Sequence, residues 1–512
     1  MDAVMDRPLA EQATPLRFEA LHAQVGELSQ ALGLGADQLA YVLCLFAAYP
    51  LALVYQFLPN AALKHLFDVG VGVAMAQFVL GSQWVHSLVA AAVTYALVRF
   101  GPAHYAPYLV FAFNMLYLSA SHIYRLYVDY MGWTLDFTGP QMLLVIKLTS
   151  FAYNYYDGVV DKTWATKGAS LSPGRAKVYQ ARQKLALTEF PSPLEYFGYV
   201  YSFTTFLAGP AFELREYLDV TSNAKFQFQG KTKRPSSLFA AFSKFLVGAG
   251  IMAAFAIYGP LYPLSNLHDP TVAALPPLEH FKTLYITLIF CKSKYYSAWK
   301  IAEGATVLCG FGFEGFTEDG KPKGWNGVSN MDILGFELAQ SFRASSRAWN
   351  KGTQNWLERY VYTRTGNSLM ATYFISAFWH GFYPGYYFFF LSRTSHVEKY
   401  LGGVDEPCLT LFCGVWTVPL ATSVNRLAYK RLRPRFLEKD GSFGAKKKLY
   451  DVLSYLFAQL GMHYFVMPFQ SMSLEYSLAS LQNVYYSGHI VCIVMYIVFS
   501  LVPAPKPAKK TE

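Results

Sequence analysis

Long apolar runs follow one another along nearly the whole of this chain. The clearest are Leu39–Leu58, Leu66–Ser82, Tyr108–Ala120, Gln141–Tyr156, Leu238–Tyr262, Ser368–Leu391, Thr410–Ala421, Leu449–Phe469 and His489–Val502. A helix that crosses the hydrocarbon core needs about 20 mostly apolar residues. In lipid every backbone N–H and C=O must find a partner within the protein, which leaves helices or closed barrels. Runs of this length read as helices. With weaker runs at Val85–Val98, Leu194–Ala208, Leu284–Cys291 and Ile301–Phe313, the expected architecture is an all-α polytopic membrane bundle of about ten to twelve helices. Composition points the same way: 53% of residues are hydrophobic and 15% charged, against roughly 25% charged in soluble domains. A disordered chain is excluded by the same figures. The six cysteines are scattered and form no C-x-x-C pair, which excludes a disulfide scaffold or a zinc ribbon.

The charges are ordered as well as scarce. Arg426–Lys448 holds nine Lys or Arg against Glu438 and Asp440, and the excess of positive residues in such loops marks the cytosolic side. Leu449–Phe469 then leaves the cytosol and His489–Val502 returns, so the C-terminal tail is expected to be cytosolic. It ends Lys509-Lys510-Thr511-Glu512, the pattern of a dilysine retrieval signal for the endoplasmic reticulum membrane, read by the COPI coat. Counting backward, the segment carrying Arg343, Arg347, Lys351, Arg359 and Arg364 is cytosolic too. The division expected is a polar N-terminal segment 1–38, a multi-pass domain 39–503 and a cytosolic tail 504–512, with the first membrane helix as uncleaved targeting signal. The net charge of +10 suits anionic lipid headgroups rather than nucleic acid.

Among eleven histidines, His380 stands apart, near the middle of the run Ser368–Leu391. Ionisable groups at membrane depth are costly and mark functional sites by default; the alternative is a neutral His bonded to a neighbouring helix. Pro384 and Gly385 follow closely and break helix regularity. Upstream lies Ala348-Trp349-Asn350-Lys351-Gly352-Thr353-Gln354-Asn355-Trp356-Leu357, in which an Asn amide either stabilises an oxyanion or caps a helix. Asp136, Lys147 and Asp157 interrupt apolar sequence, Lys147 either snorkelling or meeting a charged ligand. Gly315–Pro322 nearly spells a phosphate-binding P-loop but lacks its Ser/Thr and reads as a solvated turn. No G-x-S-x-G elbow and no His/Cys/carboxylate set with metal-ligand spacing occurs in the sequence.

Taken in order, several motifs resemble the membrane-bound O-acyltransferase family, its lysophospholipid acyltransferase branch in particular. They are Asp136-Phe137-Thr138-Gly139-Pro140-Gln141-Met142, Tyr156-Asp157-Gly158, Pro191-Ser192-Pro193-Leu194-Glu195-Tyr196, Leu207-Ala208-Gly209-Pro210, Trp349-Asn350 with Trp356-Leu357, and Ser376-Ala377-Phe378-Trp379-His380-Gly381 leading into Pro384-Gly385-Tyr386-Tyr387. The resemblance implies a helix bundle enclosing a reaction chamber, with His380 and Asn350 as the catalytic pair and Asn355 as the alternative Asn. It implies acyl transfer from acyl-CoA, as co-substrate, to the free hydroxyl of a lysophospholipid, with phosphatidylcholine- or phosphatidylethanolamine-type headgroups foremost. No other cofactor and no metal is implied. Asp136, Lys147, Asp157, Glu195, Arg343, Arg347, Asn355, Trp379 and Tyr383 are the further substrate-contact candidates, Lys147, Arg343 and Arg347 as partners for CoA phosphates at the cytosolic mouth. Competing readings are acylation of a peptide or neutral lipid, whose steryl and diacylglycerol branch carries a Phe-Tyr-x-Asp-Trp-Trp-Asn motif absent here, and a multi-pass transporter.

Overall fold

The computed structural model describes residues 18–132, 134–161, 173–391, 417–437 and 444–503; the dilysine and part of the basic segment lie outside them. The helices in chain order are α1 (Glu19–Leu32), α2 (Ala36–Gln56), α3 (Ala61–Leu80), α4 (Val85–Phe100), α5 (Ala106–Val128), α6 (Thr138–Tyr155), α7 (Pro173–Leu185), α8 (Pro193–Val200), α9 (Leu214–Thr221), α10 (Leu238–Tyr258), α11 (Pro270–Ala273), α12 (Pro277–Leu308), α13 (Ile333–Glu337), α14 (Phe342–Ala348), α15 (Lys351–Trp356), α16 (Leu369–His380), α17 (Pro384–Leu391), α18 (Thr417–Leu427), α19 (Ala445–Ser471), α20 (Leu474–Asn483) and α21 (Ser487–Leu501). The sheet among the described residues is one short antiparallel ladder, Gln227 opposite Thr232 and Phe228 opposite Lys231. The chain is thus all-α, as its apolar runs require.

Four helical stretches among the described residues are long and apolar enough to cross a bilayer: Ala36–Gln56, Ala61–Phe100, Leu238–Leu261 and Ala445–Ser471. The pair α20 and α21, bent by 70°, makes a fifth when counted as one broken span. On α10, Phe239, Leu246 and Ile257 are all exposed, a face that is tolerable against lipid and not against water.

Contacts divide the chain into two compact units. The first comprises Met1–Ala253, Tyr295–Met331 and Lys351–Asn367, with Tyr55, Phe151, Tyr196, Tyr199, Phe226 and Phe311 fully buried at its centre. Lipid tails are as apolar as these side chains, so packing and polar bonds rather than a water-driven effect hold such a core. Its buried charges are matched accordingly: Glu303 accepts from Lys244 at 2.6 Å and from Lys300 at 2.9 Å. α8 starts on a capping box, in which Ser192 and Glu195 satisfy each other's backbone N–H groups behind Pro193.

The second unit comprises Ala254–Lys294, Asp332–Asn350 and Ser368–Glu512, built around Phe342, Val424, Phe465, Leu481 and Cys492. The run Ser368–Leu391 resolves into two helices. Ser368 caps the first by accepting from Ala371 N at 3.2 Å, and the helix ends at His380 because Gly381 takes a φ of 119°, a region open to glycine. Pro384 then opens α17, and Gly385 donates its N–H to Met472 O at 3.0 Å. A Cβ at Gly385 would sit 2.1 Å from Pro468 O, so the close approach of α17 to the end of α19 requires glycine. At the far end of the unit, Arg431 donates to the carbonyls of Phe499 (3.2 Å), Ser500 and Val502 (3.0 Å), and Arg435 reaches Pro503 O at 3.2 Å. Terminal helix carbonyls lack intrahelical donors, and these two guanidiniums supply them.

Candidate active site

His380 is the last residue of α16, half-buried, with rings from three helices around it. Trp379 stands edge-on at 4.7 Å between centroids, Phe390 of α17 stacks on it at 5.2 Å and 15°, and Phe469 of α19 meets it edge-on at 5.0 Å. Tyr386 lies 5.8 Å away. These rings fix the imidazole at the point where α16 stops, so it stands at a helix break rather than inside a continuous span. A neutral imidazole held there can take a proton from an approaching hydroxyl. Trp379 and Tyr383 are both buried beside it.

Asn350 falls in the same unit, between α14 and α15, with φ at 42°. Asn tolerates the left-handed region better than other side-chain-bearing residues, and a backbone outlier of this kind is a pointer to function. The chain on either side is tied down. Ala348 O accepts from Asp332 N at 3.0 Å, while Asn330 accepts from Lys351 N through its carbonyl at 2.8 Å and from Gly352 N through its side chain at 2.9 Å. Asn355 is exposed on α15 and belongs to the first unit. Arg343 and Arg347 lie one turn apart on the exposed side of α14 and have no carboxylate partner among the described residues; guanidiniums so disposed suit phosphate groups.

The remaining sequence candidates lie in the first unit, each with a partner in the fold. Asp136 pairs with Arg125 at 2.9 Å and accepts from Thr138 N and Oγ1 at 3.0 and 2.9 Å, which caps the start of α6. Glu195 completes the capping box of α8. Asp157 receives both guanidinium nitrogens of Arg364, one at 2.9 Å. Lys147 does not stand at a mouth. It is almost fully buried, and its ammonium donates to the carbonyls of Tyr199 and Val200 and lies 3.4 Å from Thr205 Oγ1. The reason is local: α8 ends at Val200 with free carbonyls, and a lysine on α6 is long enough to reach them.

A ladder between α6, with the turn Tyr156–Val160 that follows it, and the segment after Asn350 explains several motif residues at once. Trp356 Nε1 donates to Thr149 Oγ1 at 2.9 Å, Tyr360 Oη to Asn154 Oδ1 at 2.8 Å, and Arg364 closes on Asp157. Asn154 in turn donates to Glu213, which Arg359 pairs at 3.1 Å. Burial lifts the Glu213 carboxyl above its ordinary range, and the Arg359 guanidinium pulls the other way. Sequence reading overlooked Tyr360, Phe390 and Phe469 in these arrangements and gave Arg359 and Arg364 only a topological meaning. The recurrence of Trp356, Tyr360 and Arg364 at four-residue steps was a usable signal of one anchored side of this segment, which continues past α15 as a wider π turn and a tight turn; the Phe469 contact had none, since it joins distant segments.

A family model described as the membrane-bound O-acyltransferase family matches residues 123–397, the stretch that holds every motif named above. The chain is 28% identical over 491 residues to the lysophospholipid acyltransferase of Schizosaccharomyces pombe, covering 92% of this chain and 88% of that protein. It is 28% identical over 510 residues to lysophospholipid acyltransferase 1 of Arabidopsis thaliana, covering 95% and 99%. It is 30% identical over 506 residues to membrane-bound glycerophospholipid O-acyltransferase 2 of Mus musculus, covering 95% and 88%.

Proposed function

The chain belongs to the membrane-bound O-acyltransferase family, and from that premise we propose that it transfers a fatty acyl chain from acyl-CoA to the free hydroxyl of a lysophospholipid. The observation that carries the reading is His380, held in an aromatic surround at the break between α16 and α17, in a chain whose relatives of that named activity match it over nearly their full length. In the proposed step His380 takes the hydroxyl proton as the oxygen attacks the thioester carbonyl. The Asn350 amide donates to the developing oxyanion, an interaction worth about 3 kcal/mol where comparable donors have been removed. Collapse of the tetrahedral intermediate breaks the C–S bond, and the thiolate of CoA leaves and takes up the proton from His380. The thioester is already activated, so no acyl-enzyme, metal or bound cofactor enters.

Arg343 and Arg347 are the proposed contacts for CoA phosphates. The acceptor headgroup proposed is choline or ethanolamine. The apolar runs outside the four clear spans complete a set of about ten to twelve helices around a chamber. The basic segment beside Arg431 faces the cytosol, and the dilysine tail, read by the COPI coat, holds the protein in the endoplasmic reticulum. The test is acyl-CoA consumption by the detergent-purified protein over a panel of lysophospholipids, with His380→Ala alongside. Turnover that this variant loses supports the reading; no turnover on any lysophospholipid by a monodisperse protein transfers the proposal to a peptide or neutral-lipid acceptor.

A further inference from the structure

The first unit contains a cleft of about 210 Å³ at the start of α3, lined by His65, Glu195, Arg215 and Asp219. His65 is 4% exposed. Its Nδ1 lies 2.9 Å from the Tyr217 hydroxyl, which donates its own hydrogen to Asp68 Oδ2 at 2.9 Å. The Tyr217 oxygen therefore accepts from His65, and Nδ1 carries the hydrogen. A neutral imidazole protonated on Nδ1 has its lone pair on Nε2. That nitrogen has no partner among the described residues, and it is the one left to the cleft.

Further acceptors join it. Glu195 uses Oε2 for the Ser192 cap, at 2.7 Å to N and 2.8 Å to Oγ, so Oε1 remains. Asp219 uses Oδ1 for Arg215 Nε at 3.2 Å, so Oδ2 remains, as do the terminal nitrogens of Arg215. Lys64, the neighbouring cation, is turned to the Thr221 carbonyl at 3.4 Å. One imidazole lone pair and two carboxylate oxygens suit the three N–H donors of a primary ammonium, and the guanidinium edge suits a phosphate.

We infer that this cleft binds a phosphorylated primary amino alcohol of the phosphoethanolamine class and discriminates against phosphocholine, whose quaternary nitrogen has no N–H to offer. A site built to pair donors rejects an analogue that lacks them, because its own polar groups are then left unpaired.

The inference concerns binding outside the catalytic pair, and its test uses no acyl-CoA, so it stands or falls separately from the acyl-transfer reading. Calorimetric titration of the purified full chain with glycerophosphoethanolamine and glycerophosphocholine is expected to give at least about tenfold tighter binding of the first. Asp219→Asn, a partly exposed position, is expected to weaken it about tenfold with the thermal midpoint unchanged; His65→Phe is the second variant. Repeating the titration in nanodiscs separates the sources. Loss of binding in phosphatidylethanolamine discs alone assigns the cleft to the lipid headgroup, and equal binding in phosphatidylcholine and phosphatidylethanolamine discs assigns it to the soluble compound. Equal affinity for both probes, binding of neither, or full binding by a folded Asp219→Asn variant overturns the inference.

Discussion

The indole of Trp356 donates to the hydroxyl of Thr149 at 2.9 Å, both groups buried. Two further rungs, Tyr360 to Asn154 and Arg364 to Asp157, follow four and eight residues along. Three bonds hold the segment that follows Asn350 in one register on α6 and the π turn, Tyr156–Val160, that continues it. A slip by one residue would break all three together.

Asp157→Asn is therefore expected to be costly in stability. The Asp157 side chain is 2% exposed and that of Arg364 11%, and removing one member of a buried pair leaves an uncompensated charge worth about 3–5 kcal/mol. The double variant Asp157→Asn with Arg364→Met should lose less than the sum of the two singles. Reversible unfolding in mixed micelles checks both. Additive losses would mean that the pair does not interact.

At His380 the expectation is catalytic rather than structural. His380→Phe keeps a ring to stack on Phe390 and removes the base, so turnover should fall by roughly a hundredfold to ten-thousandfold while the thermal midpoint stays close to that of the parent. Acyl-CoA consumption and a melting curve on the same preparation decide it. Substantial retained turnover would remove His380 from the role of base.

Asn350 allows chemistry and backbone to be separated. Its φ of 42° suits glycine at least as well as asparagine, so Asn350→Gly relieves the backbone and deletes only the amide. Activity is expected to drop by about a hundredfold to a thousandfold with stability held. Asn355→Ala, on the exposed side of α15, should retain most activity. The reverse order in kinetic assays would transfer the role to Asn355.

How much of this the sequence carried depends on the kind of residue. Leu39–Leu58, Leu238–Tyr262 and Leu449–Phe469 map onto α2, α10 and α19 almost end to end, because a span must be apolar along its length and hydropathy reads that directly. The weak runs Leu284–Cys291 and Ile301–Phe313 misled, since one continuous helix, α12, covers the first and most of the second. The lysines between them are neutralised by partners that hydropathy cannot see: Lys292 by Glu337 at 2.8 Å and Lys300 by Glu303 at 2.9 Å. The motif carboxylates were visible as Asp136, Asp157 and Glu195, but their work as caps and ion-pair partners depends on Arg125, Arg364 and Ser192. For the first two, the partner's identity is a fact of packing. Only the Ser192–Glu195 spacing is a local signature that sequence alone discloses.

Two motif glycines should behave differently. A Cβ at Gly385 would meet Pro468 O at 2.1 Å and Met472 Cα at 3.0 Å, both backbone atoms, whereas one at Gly139 meets nothing within 4 Å. Gly385→Ala is expected to cost on the order of 1–3 kcal/mol and to reduce activity as well, since α17 carries two of the rings around His380. Gly139→Ala should leave both readouts near the parent value. Equal effects of the two substitutions, read by melting and turnover, would contradict the close packing of α17 on α19.

Arg431 links the final helix to the basic segment, and that fixes a topological expectation. Its guanidinium takes carbonyls of Phe499 and Val502 at 3.2 and 3.0 Å, and Arg435 takes Pro503 O, so the tail must leave α21 on the membrane face where Ala428–Phe436 lies. The proposed topology makes that face cytosolic, from the excess of positive residues in the segment. Epitopes inserted in residues 438–443 and after Glu512 should both be reached by antibody when the plasma membrane alone is permeabilised, and neither should be protected from protease in sealed microsomes. Arg431→Ala leaves those terminal carbonyls without donors, at about 1–3 kcal/mol for each one kept from water, and should lower the melting midpoint without changing the accessibility of either epitope. Opposite accessibility of the two epitopes in the parent protein would break the Arg431 contact outright, because no single guanidinium can bond carbonyls across a bilayer about 30 Å thick.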